Sequence, residues 1–177
     1  MRKVVLYIAA SLDGYIASPD GSVDWLPPLL PGEDYGYADL LSTIDTTLQG
    51  RTTYEQVLTF GEWSYPELIN YVFTSNPPTE AVHPSVRFVT TDAAEFVRQL
   101  RQEEGGTIWL IGGGKLVAPL LAAGQVDELM LFVVPRLLGN GIPLWQEPKH
   151  SQPLKLLRNH TWPDGMTLLH YQLTNIE

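Results

Sequence analysis

"WLIGGGKLVAPLL", residues Trp109 to Leu121, decides the fold. A β-like apolar run meets three glycines and passes into a run whose Leu116, Val117, Leu120 and Leu121 recur at helical spacing. Glycine suits neither element, because its backbone loses the most freedom on ordering. Gly112, Gly113 and Gly114 therefore mark a strand-to-helix junction whose main chain has to stay bare. Pro119 fits the second run only near a first turn or with a local kink.

The same grammar extends in both directions. "KVVLYIA" (Lys3 to Ala9) is a β-branched apolar run, as expected of a strand covered on both faces. Ser11 to Gly32 carries Gly, Pro, Asp and Trp25 and reads as a long functional loop. Tyr37, Leu40, Leu41 and Ile44 then recur at helical spacing, and "TTLQ" is a short strand ending at Gly50. Thr52 with Glu55 fits a capping box that opens a helix. "INYVFT" and "VRFV" are further strands, Asp92 with Glu95 makes a second capping box, and Gly105-Gly106 stops that helix. "TIWLI" and "ELMLFVV" follow, and "LKLLRNHTW" and "MTLLHYQL" form a hairpin around "PDG". Repeated strand–helix–strand units predict one α/β domain over residues 1–177. Its expected architecture is a three-layer α-β-α stack around a twisted, mainly parallel mixed sheet of about eight strands, with an antiparallel C-terminal hairpin.

The 177 residues carry a formal charge of −9, which disfavours nucleic acid and anionic membrane as main partners. The absence of cysteine excludes disulfides, thiolate nucleophiles and Cys-based zinc sites. His83, His150, His160 and His170 lack metal-ligand spacing, so no metal is expected. No segment approaches the ~20 apolar residues of a membrane span. The N-terminus reads as a strand and loop rather than a signal peptide, so the expected location is cytoplasmic.

In open α/β sheets ligands gather at the carboxyl ends of the strands. Three junctions there carry unusual residues: "GRTTYE", "TSNPPT" and "IGGGKL". Helix N-termini hold phosphate through unpaired N–H groups and a partial positive charge. Arg51 adds a guanidinium, and Thr52, Thr53 and Ser75 add hydroxyls, a set that suits a dinucleotide. Each piece also has a plainer reading. The glycines can be a tight packing turn, Arg51 can pair with Glu55, and Ser75-Asn76 can be turn chemistry. G-x-G-x-x-G is absent, which disfavours a standard Rossmann site.

"AASLDGYIA", "LQGRTTYE", "IWLIGGGKL" and "VPRLLGNGIPLW", in this order, resemble the dihydrofolate reductase superfamily. The branch they are most similar to is the C-terminal reductase domain of the bifunctional riboflavin-biosynthesis deaminase/reductase. The resemblance implies NADPH as cofactor and a cis Gly112–Gly113 peptide. It places Gly113, Gly114 and the N–H groups around Lys115 and Leu116 at the pyrophosphate. Gly50, Arg51, Thr52 and Thr53 match the segment at the cofactor phosphates, and Ser75 matches the 2′-phosphate loop. Ala9, Ile16 and Trp25 match positions around the nicotinamide. Counting back from Gly50 puts Asp34 where dihydrofolate reductases keep their catalytic carboxylate; Glu33 and Asp39 are rivals. Asp13 shapes the turn over the site or bonds a substrate group.

Two departures concern the substrate half. Tyr7 stands where the riboflavin-pathway reductases carry a lysine, and "RTTYE" replaces their Asp-Asn-Pro segment. His-x-Glu and Pro-Cys-x-x-Cys are missing, so no deaminase domain is expected. The expected activity is NADPH-dependent hydride transfer to a small heterocyclic or ribosylaminopyrimidine-type substrate. It would be similar to the 5-amino-6-(5-phosphoribosylamino)uracil reductase step of riboflavin biosynthesis. A non-catalytic nucleotide- or metabolite-binding protein is the alternative, and a flavin-binding protein is a weaker third. A homodimer is expected through the sixth strand and "LLGNGIPLW", unless Leu137, Leu138, Leu144 and Trp145 close the domain's own core.

Overall fold

The computed structural model describes residues 1–147 and 151–174, which leaves His150 outside the described residues. Its elements are β1 (Val4–Ser11), β2 (Tyr15–Ala17), α1 (Tyr37–Leu41), β3 (Ile44–Gly50), α2 (Arg51–Leu58), β4 (Ile69–Phe73) and β5 (Val86–Val89). There follow α3 (Ala93–Leu100), β6 (Thr107–Gly112), α4 (Gly114–Ala122), β7 (Glu128–Val134), β8 (Ile142–Pro143), β9 (Leu154–Thr161) and β10 (Thr167–Leu173). Eight strands form one sheet in the order β5-β4-β3-β6-β1-β7-β10-β9. The six from β5 to β7 run parallel, and β10 and β9 join antiparallel. The expected architecture is what forms.

Strand alternation divides the core between two helix layers. On one face Val4, Leu6, Leu48, Ile108 and Leu110 pack against Val97 and Leu100 of α3 and Leu116, Val117 and Leu120 of α4. On the other face Leu40 of α1 covers Trp109, and Tyr54 of α2 covers Val72.

Four local expectations are corrected. The first helix lasts only five residues, and Ile44 already opens β3. Thr52 does not cap α2: β3 runs straight into the helix, Gly50 is its N-cap, and Thr52 is already helical. The Glu55 carboxylate instead takes the Arg51 guanidinium. Helix α3 ends at Leu100, well before Gly105; the Asp92 cap holds as expected, accepting the Glu95 amide at 2.9 Å. The long loop contains β2, which pairs with β8. Pro119 sits inside α4, beyond its first turn, and supplies no N–H for the carbonyl four residues back.

Candidate functional site

A cleft of about 750 Å³ opens at the carboxyl edge of β3 to β6, within the range of small-molecule sites. Ile16, Gly50, Arg51, Thr52, Thr53, Ser75, Gly113, Gly114, Lys115 and Leu116 line it, so the three junctions read from sequence converge. Thr74, Thr90, Thr91, Gln56 and Gln146 also line it and were missed. Thr90-Thr91 could have been found, because it precedes the Asp92 cap at a fourth strand-to-helix junction.

The three glycines differ in what keeps them bare. Gly112 has φ +133°, a region L side chains avoid, and its peptide bond to Gly113 is cis. A Cβ on Gly113 would lie 3.4 Å from Thr53 Oγ1, in the cleft wall. One on Gly114 would lie 2.5 Å from Gln146 Nε2 and 2.8 Å from the Pro143 carbonyl, so here packing alone forbids a side chain. The plain reading, a tight packing turn, holds at Gly114.

Helices α2 and α4 both start at the cleft from glycine N-caps with no side-chain cap, so no capping side chain occupies their first-turn amides. The Arg51 Nε donates to Glu55 Oε1 at 2.7 Å, and Nη1 donates to the Asn76 carbonyl. These bonds hold the guanidinium at the cleft rim, with the side chain 41% exposed.

Ala9, Trp25 and Gly112 do not line this cleft. Trp25 is buried with Tyr35, Phe132 and Trp162, and Ala9 packs against that cluster. The Trp25 indole N–H has no partner among the described residues. Asp34 is exposed; its Oδ1 accepts the Gly36 amide and its Oδ2 the Ala38 amide, each at 2.9 Å. Those two bonds, Ala38's first, hold its carboxyl below the usual range. Of its rivals, Glu33 accepts the Trp162 indole N–H at 3.0 Å, and Asp39 lies exposed in α1. Asp13 takes the Ser11 hydroxyl at 2.6 Å and the amides of Leu138 and Gly139, which tie the loop after β1 to the segment after β7. Leu144 is fully buried, while Leu137 and Trp145 are exposed.

Beside the cleft, on the α1/α2 face, the rings of Tyr37 and Tyr65 both stand edge-on to Trp109, and Tyr7 meets Trp109 at 5.9 Å between centroids. Burial, and then the charges of Tyr37 and Asp34, push the Tyr7 hydroxyl well above its usual range. Gln49 is completely buried, and neither atom of its side-chain amide has a partner among the described residues. Among the described residues no group of three or more His, Asp or Glu side chains could hold a metal ion. No described helix is long and apolar enough to cross a membrane.

The family described as "RibD C-terminal domain" matches residues 2–169, and the chain belongs to that family. The uncharacterized protein YwjB of Bacillus subtilis is 42% identical over 156 residues, covering 88% of this chain and 89% of its own. A protein of Shewanella sp. PV-4, provisionally named for riboflavin biosynthesis, superposes with a TM-score of 0.86 at 28% identity, over 98% of this chain and 99% of its own. The Thermotoga maritima deaminase/5-amino-6-(5-phosphoribosylamino)uracil reductase superposes with a TM-score of 0.72 at 19% identity, over 98% of this chain and 57% of its own. Dihydrofolate reductase from Enterococcus faecalis, in complex with NADP(H), superposes with a TM-score of 0.59 at 21% identity, over 97% of this chain and 94% of its own. These last two likenesses establish the dihydrofolate reductase-like fold.

Proposed function

We propose that this chain is an NADPH-dependent oxidoreductase that reduces a small heterocyclic substrate, a reading supported by its family and by its carboxyl-edge cleft. The observation that carries it is two glycine-capped helix starts, α2 and α4, meeting in one cleft with Arg51 on its rim. First-turn amides, hydroxyls and one guanidinium fit a ligand with several phosphates. When bound, the cofactor supplies the hydride. Amides of Gly113 to Lys115, with Thr52 and Thr53, hold the pyrophosphate in this reading; the Leu116 amide already donates to the Gly113 carbonyl at 2.9 Å. Arg51 and Ser75 take the outlying phosphate. Ile16, Ala9 and the loop anchored by Trp25 shield the reacting ring from water.

Asp34 enters as an ionised group. Its two oxygens accept the Gly36 and Ala38 amides, and in this reading the carboxylate orients a substrate N–H. Asp13 is the loop tie. The reading includes a homodimer that covers the exposed Leu137 and Trp145. The test is loss of NADPH absorbance with 5-amino-6-(5-phosphoribosylamino)uracil, its dephosphorylated form and dihydrofolate. Turnover on any of them supports the reading; tight NADPH binding with turnover on none favours the non-catalytic alternative.

A further inference from the structure

The last three strands of the sheet divide their side chains by charge. Register sets rows across β7, β10 and β9, and successive rows point to opposite faces. Glu128, Gln172 and Lys155 make one row; Met130, His170 and Arg158 make another; Phe132, Leu168 and His160 make a third. Every charged or imidazole side chain of the three strands stands in those rows, on the face of the Trp25 cluster. The rows between them carry none. Leu129, Tyr171 and Leu156 share one, Leu131, Leu169 and Asn159 share the next, and Leu154 stands beside Leu173. Thr167 and Thr161 border them, with their hydroxyls 3.2 Å apart. Leu157 is the extra residue of the bulge opposite His170 and Tyr171.

The uncharged face lies in the layer of α3 and α4, and its cover runs out from β7 to β9. Leu129 is 4% exposed in the core beneath those helices, Tyr171 and Leu173 are partly buried against it, and Leu156 is 47% exposed. Leu154 and Leu157 are exposed as well. No described helix follows α4 in the chain, so none remains to roof β9. All eight residues of this edge strand are exposed, whereas the opposite edge strand, β5, buries Val86 and Val89.

Single exposed leucines are ordinary on a surface, but a contiguous apolar strip across three strands is not. At the usual spacing and rise the three strands outline about 350 Å², a patch size that marks interaction sites. Such a strip suits the apolar centre of an interface of about 800 Å² on each partner, with Asn159, Thr161 and Thr167 as part of its polar rim. Charge selects the occupant. Each copy carries a formal −9, so copies repel wherever acidic side chains meet. The strip brings no charge to the contact, and a two-fold contact asks a surface only to match itself. A charged partner would find its pairs in the other rows, where Lys155 and Arg158 stand. We infer that a second copy of this chain docks on the uncharged face of β10 and β9, centred on Leu156; this rests on the homodimer of the proposed function and gives that dimer its centre.

Sedimentation velocity of the whole protein at micromolar concentration should give the mass of two chains. Leu156→Lys sets two cations against each other across the axis and should raise the dimer's dissociation constant at least about 100-fold. The chain has no cysteine, so Leu156→Cys introduces a single thiol. A flexible bis-maleimide should join two copies through it, whereas Phe60→Cys, exposed just past α2 in the other layer, should stay unjoined. Should the lysine variant fail to fold, this cysteine pair decides. A native chain that stays monomeric at high micromolar concentration overturns the inference, and if that monomer binds neutral phospholipid vesicles the strip is a lipid surface instead. A dimer indifferent to Leu156→Lys but lost in Trp145→Lys also overturns it, yet leaves the homodimer of the reductase reading in place. Titration of NADPH separates the two levels: failure to bind it removes the reductase reading, whereas NADPH turnover by a monomer removes only the dimer.

Discussion

The two ends of the central sheet treat polar groups in opposite ways. At the amino end Arg2 and Arg101 are buried and paired with carboxylates. Arg2 is paired with Asp45 and bonded to Thr46 Oγ1 at 2.7 Å and the Gly106 carbonyl at 2.9 Å. Arg101 grips both oxygens of Asp127 at 2.7 and 2.9 Å, and Asp127 also accepts the Val4 amide. At the carboxyl end helix amides have no capping side chain, threonines line an open cleft, and Arg51 stays half-exposed. Paired charge at one end ties the parallel strands together; donors lining the cleft at the other are what a ligand can use. Substitutions at the amino end should therefore change stability alone, and those at the carboxyl end affinity alone.

The largest effect expected is on stability. Asp127→Ala leaves Arg101, 9% exposed, without its carboxylate and frees the Val4 amide, and should lower the unfolding free energy by about 3 kcal/mol. Urea denaturation measures this, and NADPH affinity of the folded protein should be unchanged. Next, Arg51→Ala should weaken NADPH about 10- to 100-fold and NADH far less, because a charge-assisted bond contributes about 1.5–3 kcal/mol. Its unfolding free energy should move by less than about 0.5 kcal/mol, since the Arg51–Glu55 pair is exposed. Equal loss for both nucleotides, or a large loss of stability, would break the division between the two ends.

Smaller changes sharpen it. Converting Thr90 and Thr91 together to Val should weaken NADPH about fivefold, from two neutral hydrogen bonds, by fluorescence titration. The smallest effect concerns acid stability. The Tyr35 hydroxyl, chiefly, holds the Asp164 carboxyl below 3.8, and the Ser11 hydroxyl, chiefly, does the same for Asp13. Between the folded and unfolded values the unfolded chain binds more protons, so these groups stabilise the fold above about pH 4. That contribution is lost as pH falls through the lower folded values. Asp164→Asn should flatten the acid limb of a stability–pH curve by lowering the neutral plateau while leaving the acid end in place.

Much of this was legible in the sequence, and the failures have physical causes. Long apolar runs such as "KVVLYIA" and "ELMLFVV" gave their strands because both faces are covered, and the Asp92 cap was visible because its bond is local. The Thr52 cap failed because the end of β3 and the start of α2 share no intervening residue, a tertiary constraint that overrides a local motif. The shortness of α1 was invisible, since Ile44 continues helical spacing while already hydrogen-bonded in the sheet. Gly112, Gly113 and Gly114 looked alike as letters; the positive φ of Gly112 and the packing of Gln146 and Pro143 against Gly114 set them apart. Gln49 gave no signal, because an amide inside a strand looks ordinary until its surroundings leave it unpartnered.

Calorimetric titration of NADPH into the intact protein, repeated on Arg51→Ala, tests the central claim most directly. Saturable heat for the native chain that weakens at least about tenfold in the variant, with NADH nearly indifferent to the change, is the predicted result. No heat from either nucleotide at millimolar concentration would contradict it, and the glycine-capped helix starts would then be packing features of the fold.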